Sequence, residues 1–332
     1  ELAELLAGEG GAVPVGRPRP RPFAVVDAVA ATGSYGPVLE ADLGELLGGP
    51  VVRAGEGGAR WLVGNLADAL DARFARELVT ATSPDRETAT RRIARRRDAR
   101  VVWHALRCAA GRGSDGVERR PPDFLANRLG SAAPVVEAMR ADLATLALAG
   151  EALDDLGLED AAELGRAIYD EYAARAVERL LGRPGTRGAA DAELEGRRVV
   201  LGLLLASGAL VEAAPAEERP PIVAVADYDA ARSEVARLLA EVRRVRYFGD
   251  AETVDAWIER HAGPPPAGRE RAARAIAREL DLPGTAAFVL PRIEIRGAGE
   301  RVELVPHGGE TLLEARLAAA REKRSRPAIP VR

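Results

Sequence analysis

The amino-acid sequence predicts a helix-rich α/β protein with an N-terminal α/β segment, a helical middle and a C-terminal doubly wound domain. Three observations support this prediction: short β-branched runs near both ends of the chain, amphipathic helical patterns through residues 83–212, and alternating strand and helix patterns after Pro221. A chain of 332 residues can hold two or three domains and bury a core.

The composition narrows the classes of protein that the chain can belong to. A net charge of −4, with 47% hydrophobic and 30% charged residues, is typical of a globular protein and disfavours general binding to nucleic acid or membrane surfaces. No apolar run approaches the roughly 18 residues that a transmembrane helix needs, and the acidic opening ELAELL is no signal peptide. The single cysteine, Cys108, excludes an internal disulfide. We therefore expect a cytoplasmic protein without membrane association.

Several residue types that catalysis often uses are scarce. The chain has one lysine (Lys323), one methionine, two asparagines and no glutamine; a GC-rich bacterial genome explains this bias, and heat adaptation is the alternative. A Walker A motif and a Schiff-base lysine lack the lysine they need. The three histidines are too far apart in sequence for a metal-ligand motif. Carboxylates, hydroxyl groups and arginines remain as candidates for chemistry.

The N-terminal quarter of the chain divides into an arm and an α/β segment. Residues 1–22 end in the sequence RPRPRP, which favours a polyproline II conformation, and we expect a flexible arm there. Residues 23–82 form the α/β segment, in which Phe23–Val26 predicts a strand and residues 51–53 and 61–63 predict a hairpin around a Gly-rich turn.

Residues 83–212 predict a helical domain whose first helix is strongly basic. Ser83 and Pro84 provide a helix start, and the segment from Arg86 to Arg120 carries eleven arginines against four acids, a local charge of +7. We expect this helix to contact a partner, either a protein or the phosphates of a nucleic acid. The alternative is that its arginines pair with acidic segments later in the chain. The candidate nucleic-acid-binding residues are Arg91, Arg92, Arg95, Arg96, Arg97 and Arg100.

The C-terminal third is predicted to be a separate domain. Residues 213–221, with the sequence AAPAEERPP, predict the linker that leads into it. The domain itself covers residues 222–320, and residues 321–332 form a basic tail.

The acids of this domain follow its predicted strands. Ile222–Val225 predicts a buried parallel strand, and Val245–Phe248 predicts a second strand after an intervening helix. Asp227 and Asp229 follow the first strand and Asp250 follows the second. Open α/β sheets bind ligands at the carboxyl ends of their strands, so these three side chains are candidate ligand-binding residues.

Segments of this domain resemble a known family. IVAVADYDAARSEVARLLAEV and VRYFGDAETVDAWI resemble the opening of a response-regulator receiver domain, and VELVPHGGETLLEARLAAA resembles its last strand and closing helix. The resemblance implies a flavodoxin-like doubly wound fold in which Asp227 and Asp229 match the family's Mg²⁺-binding acids. It gives no secure match for the phospho-accepting aspartate, and Val305 stands where the family has a lysine before Pro306. It therefore implies a degenerate receiver domain that is not phosphorylated.

The acids leave two other interpretations open. Asp227 and Asp229, with Asp250, could bind Mg²⁺ through carboxylate oxygens, as phosphoryl-transfer enzymes do. Alternatively, Asp229 caps the following helix and Asp227 lies at the surface. We expect a regulatory or scaffolding protein with a receiver-like domain and an arginine-rich contact helix. A Mg²⁺-dependent phosphoryl-transfer or phosphodiester enzyme that uses the three acids is the alternative.

Overall fold

The computed structural model describes residues 23–26, 38–41, 59–63, 76–110, 121, 123–151, 153, 160–181, 189–214, 221–280, 292–298 and 301–307. These residues belong to two compact units. The helical unit contains the described residues from Leu78 to Leu280. The strand unit contains the described residues from Phe23 to Glu77 and from Arg292 to His307. The predicted arm (residues 1–22), hairpin strand (51–53) and tail (321–332) lie outside the described residues.

Helices dominate the described part of the chain, as the sequence predicts. In chain order the elements are β1 (Phe23–Val26), β2 (Val38–Ala41), β3 (Ala59–Val63), α1 (Arg86–Ala109), α2 (Phe124–Leu129), α3 (Ala133–Glu151), α4 (Ala161–Leu181), α5 (Ala189–Ala206), β4 (Leu210–Ala213), β5 (Ile222–Val225), α6 (Tyr228–Phe248), α7 (Ala251–His261), α8 (Ala267–Glu279), β6 (Arg292–Ala298) and β7 (Arg301–His307).

The strand unit contains one three-stranded sheet and one hairpin. Strand β3 lies in the middle of the sheet, parallel to β1 and antiparallel to β2. Strands β6 and β7 pair antiparallel, from Arg292 opposite His307 to Ala298 opposite Arg301. The last strand of a receiver domain belongs to a parallel sheet, so this antiparallel hairpin does not fit the predicted doubly wound domain.

The core of the helical unit is organised around α3. Its side chains Met139, Leu143 and Leu146 are fully buried, in one cluster with Val199 of α5 and Val242 of α6. Burying such side chains contributes roughly 1.5–3 kcal/mol each. One cluster thus unites residues that the sequence analysis assigned to two domains.

Helix α6 overturns the prediction of a second strand at Val245–Phe248. Ala231, Val235 and Leu238 are buried on one face, and Val242 and Val245 continue that face at helical spacing. The valines suggested a strand because β-branched residues favour strands in short windows. The helix ends instead at Gly249, whose φ of +65° is a left-handed cap conformation.

Strands β4 and β5 form an antiparallel pair inside the helical unit. Leu210 lies opposite Val225, and Ala213 lies opposite Ile222. Residues 213–221 therefore connect two paired strands and do not separate two domains. The prediction that Ile222–Val225 is a strand is confirmed, but the prediction of a parallel, doubly wound domain is wrong, because its one described neighbour is antiparallel β4.

Candidate functional site

The three predicted metal ligands lie at helix ends. The Asp227 carboxylate caps α6 by accepting the Ala230 N–H at 2.7 Å, and the Asp250 carboxylate caps α7 by accepting the Thr253 N–H at 3.2 Å. The Asp229 side chain is 92% exposed and lies 3.6 Å from Arg232. Capping was the predicted role of Asp229, and the structure gives it to Asp227.

The same acids are not brought together into one cluster. Helix α6 has 21 residues and is therefore about 30 Å long, so Asp227 and Asp250 lie at opposite ends of a long helix. Hydrogen bonds from the Thr253 side chain and backbone N–H lower the pKa of Asp250, as expected for a carboxylate that caps a helix. Within the described residues, no three His, Cys, Asp or Glu side chains are arranged to hold a metal ion.

Carboxylates of the same unit pair with most of the arginines predicted to bind nucleic acid. The Arg92 side chain is 1% exposed and pairs with Glu171 at 2.9 Å and Glu178 at 2.8 Å. Arg96 pairs with Glu171 at 2.9 Å, and Arg95 pairs with Asp160.

The nucleic-acid prediction for the basic helix is wrong, because these N–H groups already donate within the protein. Arg91 also pairs with an acid, Asp170, as described below. Arg97 is exposed and Arg100 is half-buried, and both make further interactions. The alternative interpretation was that the arginines pair with acids later in the chain. Arg91, Arg92, Arg95 and Arg96 do so.

A cleft of about 310 Å³ opens beside this ionic network. Its walls come from the start of α1, from α4, from β5 and from the first residue of α6. The residues that line it are Thr82, Pro84, Asp85, Glu87, Thr88, Arg91, Arg92, Arg166, Asp170, Ala173, Val223, Ala224, Val225 and Tyr228.

Three polar side chains of the cleft form one hydrogen-bonded cluster. The Arg91 Nε donates to Asp170 at 2.9 Å and its Nη2 donates to the Tyr228 hydroxyl at 2.7 Å. The Tyr228 hydroxyl donates to the other Asp170 oxygen at 2.6 Å. Each element therefore contributes one member: α1 gives Arg91, α4 gives Asp170 and α6 gives Tyr228.

Burial sets the protonation behaviour of this cluster. Burial, then the neighbouring Asp170 carboxylate, raises the pKa of Tyr228, so its phenol stays protonated at neutral pH and remains a donor. Burial also raises the pKa of Asp170, against the opposing effect of Tyr228 and Arg91. Burial opposes a charged Arg91, but the Asp170 carboxylate outweighs it and raises the pKa of Arg91. Tyr228 thus keeps its phenol proton and is a positioned hydroxyl donor, not a general base.

A second arginine faces the tyrosine ring. The guanidinium carbon of Arg166 lies 5.6 Å from the ring centre of Tyr228, and that of Arg91 lies 5.5 Å from it. Both distances allow cation–π attraction. Arg166 is otherwise paired with Glu163 at 3.2 Å, with both side chains 45% exposed, so its guanidinium remains accessible from the cleft.

Strand β5 lines the cleft, and no described strand pairs with its edge opposite β4. The Ala226 N–H donates to the Ala209 carbonyl at 3.2 Å, and the register alternates from there. Backbone groups of Ala224 therefore face β4, whereas those of Val223 and Val225 face away from it. Both valines line the cleft. Among the described residues, no group donates to or accepts from these outward-facing backbone groups.

The sequence singled out Arg91 and Arg92 of this cleft, for a different role, but it did not identify Asp170 or Tyr228, because nothing in the local pattern joins these residues. Arg91 and Asp170 are 79 positions apart, and Arg91 and Tyr228 are 137 positions apart. In the sequence, Tyr228 separates Asp227 from Asp229. An aromatic residue directly after a capping aspartate was the one available signal.

Comparisons with known proteins show a similarity of fold to solved structures. No protein-family model and no curated protein matches the sequence. Among solved structures, the chain is similar to DPP III from Caldithrix abyssi, with a TM-score of 0.59 and 15% identity over 84% of this chain and 51% of that chain. It is also similar to dipeptidyl-peptidase III from Corallococcus sp. strain EGB, with a TM-score of 0.53 and 18% identity over 78% of this chain and 45% of that chain.

The similarity corrects the family resemblance drawn from the sequence. The chain spans about half the length of the two dipeptidyl-peptidase III chains. Because their fold extends over most of this chain, and because α6 replaces the second strand, the receiver resemblance and the regulatory function derived from it are wrong. None of the described helices is long and apolar enough to cross a membrane.

Proposed function

We propose that this chain binds peptides in an extended conformation at the cleft between α1, α4 and β5, as part of a peptide-processing enzyme. The unpaired edge of β5 carries the proposal, because the backbone groups of Val223 and Val225 that face away from β4 have no partner among the described residues, and both residues line the cleft. Val223 is buried and Val225 is half-buried, so Val225 is the more accessible of the two. The similarity to two dipeptidyl-peptidase III structures supports it at the level of the fold. A reducing, cytoplasmic location belongs to the same proposal, since Cys108 is a buried free thiol.

Strand addition is the binding mode that this edge favours. An extended peptide that lies beside β5 exchanges main-chain hydrogen bonds with residues spaced two apart. Val223 and Val225 have that spacing. Main-chain pairing gives affinity for any peptide sequence, and pockets beside alternate side chains give selectivity.

The polar cluster and the charged side chains near it form the other walls of the same cleft. Tyr228 is fixed by Arg91 and Asp170, so its ring forms a stable wall next to the strand edge. Arg166 and the 90% exposed Glu87 side chain lie at the cleft and can contact charged peptide side chains of either sign.

A pair of proline variants tests the proposal. Val225→Pro removes the cleft-facing N–H, because proline has no backbone donor. Glu212→Pro removes an equivalent N–H from the outer edge of β4, since Glu212 lies opposite Val223. We expect Val225→Pro to weaken the binding of fluorescently labelled extended peptides about tenfold, the effect of losing one buried hydrogen bond.

The control keeps the result interpretable. Glu212→Pro should bind the same peptides with wild-type affinity, because its edge does not face the cleft. Equal weakening by both proline variants would point to general damage of the strand pair. A wild-type protein that binds no peptide in the micromolar to millimolar range would refute the proposed function.

A further inference from the structure

A second group of charged side chains lies in the interior of the helical unit, away from the cleft. Its centre is the Asp142 carboxylate, which is 1% exposed. Arg107 pairs with one oxygen, while Arg197 Nε donates to the other at 2.9 Å and the Tyr172 hydroxyl donates to it at 3.3 Å. Burial opposes the charged form, but Arg197 and Arg107 lower the pKa of Asp142 to about 2. Asp142 is therefore fully occupied by its partners.

Two guanidinium groups of this region keep unused donors. The Arg197 Nη1 is buried, and no acceptor in the described part of the chain lies within hydrogen-bond distance. The Arg175 guanidinium lies 5.2 Å from the ring centre of Trp103. Among the described residues no carboxylate pairs with Arg175. Its guanidinium contacts the Trp103 ring with one planar face, so the N–H groups at the edge of the guanidinium do not take part in this contact.

The local charges do not balance. Around Asp142 and Trp103 the arginines exceed the acids by one: Arg107, Arg175 and Arg197 lie with Asp142 and the 48% exposed Glu193. Burial first, and then repulsion from Arg197, lowers the pKa of Arg175 to about 10. An uncompensated charge in a protein interior is costly unless a counterion joins it.

The two arginines differ in solvent exposure. Arg197 is 7% exposed and therefore buried, whereas Arg175 is half-buried and reaches the surface. Trp103 is 3% exposed and fixes the guanidinium of Arg175 from one side. Arg175 is therefore the more accessible of the two guanidinium groups, and Arg197 is the more deeply buried one.

We propose that Arg175 and Arg197 form a binding site for a small oxyanion beside Trp103, where α4 and α5 supply the two guanidinium groups. The forked N–H groups of arginine match the oxygens of carboxylates and phosphates, and such pairs are stronger than neutral hydrogen bonds. The bound anion supplies the negative charge that the surrounding carboxylates lack. This site is separate from the peptide cleft and does not depend on the proposed function.

Thermal unfolding in matched salts tests the site. We expect sodium phosphate or sodium acetate to raise the Tm of the wild-type chain by about 3 °C over sodium chloride of equal ionic strength, at about ten times the Kd of the anion. The anion that raises the Tm identifies the oxyanion class, phosphate or carboxylate. Titration calorimetry with the same salt should give saturable heat for one site.

Two arginine variants separate the site from general salt effects. Arg175→Met should abolish both the Tm shift and the heat, and its anion-free form should be at least as stable as wild type, because an uncompensated charge is removed. Arg274→Met is the matched control, since that side chain is 71% exposed, and it should keep the full shift. Equal Tm values in all three salts would overturn the proposal, as would a shift that persists in Arg175→Met.

Discussion

Arginine is the cation that the helical unit uses in its interior, and the shape of the guanidinium group explains this use. Arg92 is 1% exposed and donates to Glu171, Glu178 and the Ser83 hydroxyl at distances of 2.8–2.9 Å. Its five N–H donors form a planar fork that serves several acceptors at once. A lysine ammonium has three donors and a stronger hydration shell, which makes burial harder. The near absence of lysine therefore fits this interior.

Asp142 gives a residue-scale prediction about pH. The pKa of this carboxyl falls from its ordinary value of 3.8 to about 2 in the folded chain. A depressed pKa stabilises the folded state above the unfolded pKa, and the contribution disappears as the pH falls through the folded value. We expect Asp142→Asn to lower the free energy of unfolding by about 3–5 kcal/mol at neutral pH, because Arg107 and Arg197 lose their buried carboxylate partner.

The pH dependence distinguishes this effect from simple loss of packing. The difference between wild type and Asp142→Asn should shrink by about 2 kcal/mol between about pH 4 and about pH 2, measured by urea unfolding. Asp229→Asn, which changes a side chain that is 92% exposed, should show no such change. A difference for Asp142→Asn that stays constant across this range would contradict the assigned pKa.

At the scale of elements, local signals predicted helices better than strands. The start of α1 after Ser83 and Pro84 and the helical run of α3 were predictable, because caps and periodicity are properties of neighbouring residues. The end of α6 was not predicted at Gly249, since three β-branched or aromatic residues before it satisfied a strand pattern equally well. What decided for helix was the burial of Val242 and Val245 against α3, a tertiary contact that a short window does not contain.

Close packing between α3 and α5 gives a prediction at the same scale. A Cβ atom on Gly196 would lie 2.7 Å from the Ala138 Cβ and 2.7 Å from the Val135 carbonyl oxygen, and that oxygen is backbone and cannot move aside alone. We expect Gly196→Ala to destabilise the chain by about 1–3 kcal/mol through overpacking, despite the better helix propensity of alanine. Chemical denaturation measures the change.

Gly268 of α8 is the matched control, because an added Cβ would have the Pro221 side chain as its nearest neighbour, at 3.8 Å. Gly268→Ala should stabilise the chain by about 0.5–1 kcal/mol, the ordinary gain from replacing a helical glycine. Opposite signs for the two substitutions would confirm that α3 and α5 touch at Gly196. A stabilising Gly196→Ala would show that the helices lie farther apart.

At the scale of the whole molecule, the two compact units do not follow one another along the chain. The strand unit takes residues from both ends of the chain, whereas the helical unit takes the middle. Composition shifts and Pro-rich stretches predicted boundaries at positions such as 213–221, but those signals mark any exposed connection, including a connection between two paired strands. Contacts between residues far apart in sequence decide where a unit ends, and the sequence pattern carries no record of them.

The predicted C-terminal domain, residues 222–320, provides the test of this division. Helix α6, the longest helix among its described residues, buries Val235, Val242 and Val245 in the cluster that contains Met139 and Leu143 of α3. A fragment of residues 222–320 leaves that face without its partner, and an isolated helix gets most of its stability from such packing. We expect the fragment to show no cooperative thermal transition by circular dichroism, in contrast to the full chain. A sharp transition and native-like helicity in the fragment would restore the domain boundary that the sequence suggested at residues 213–221.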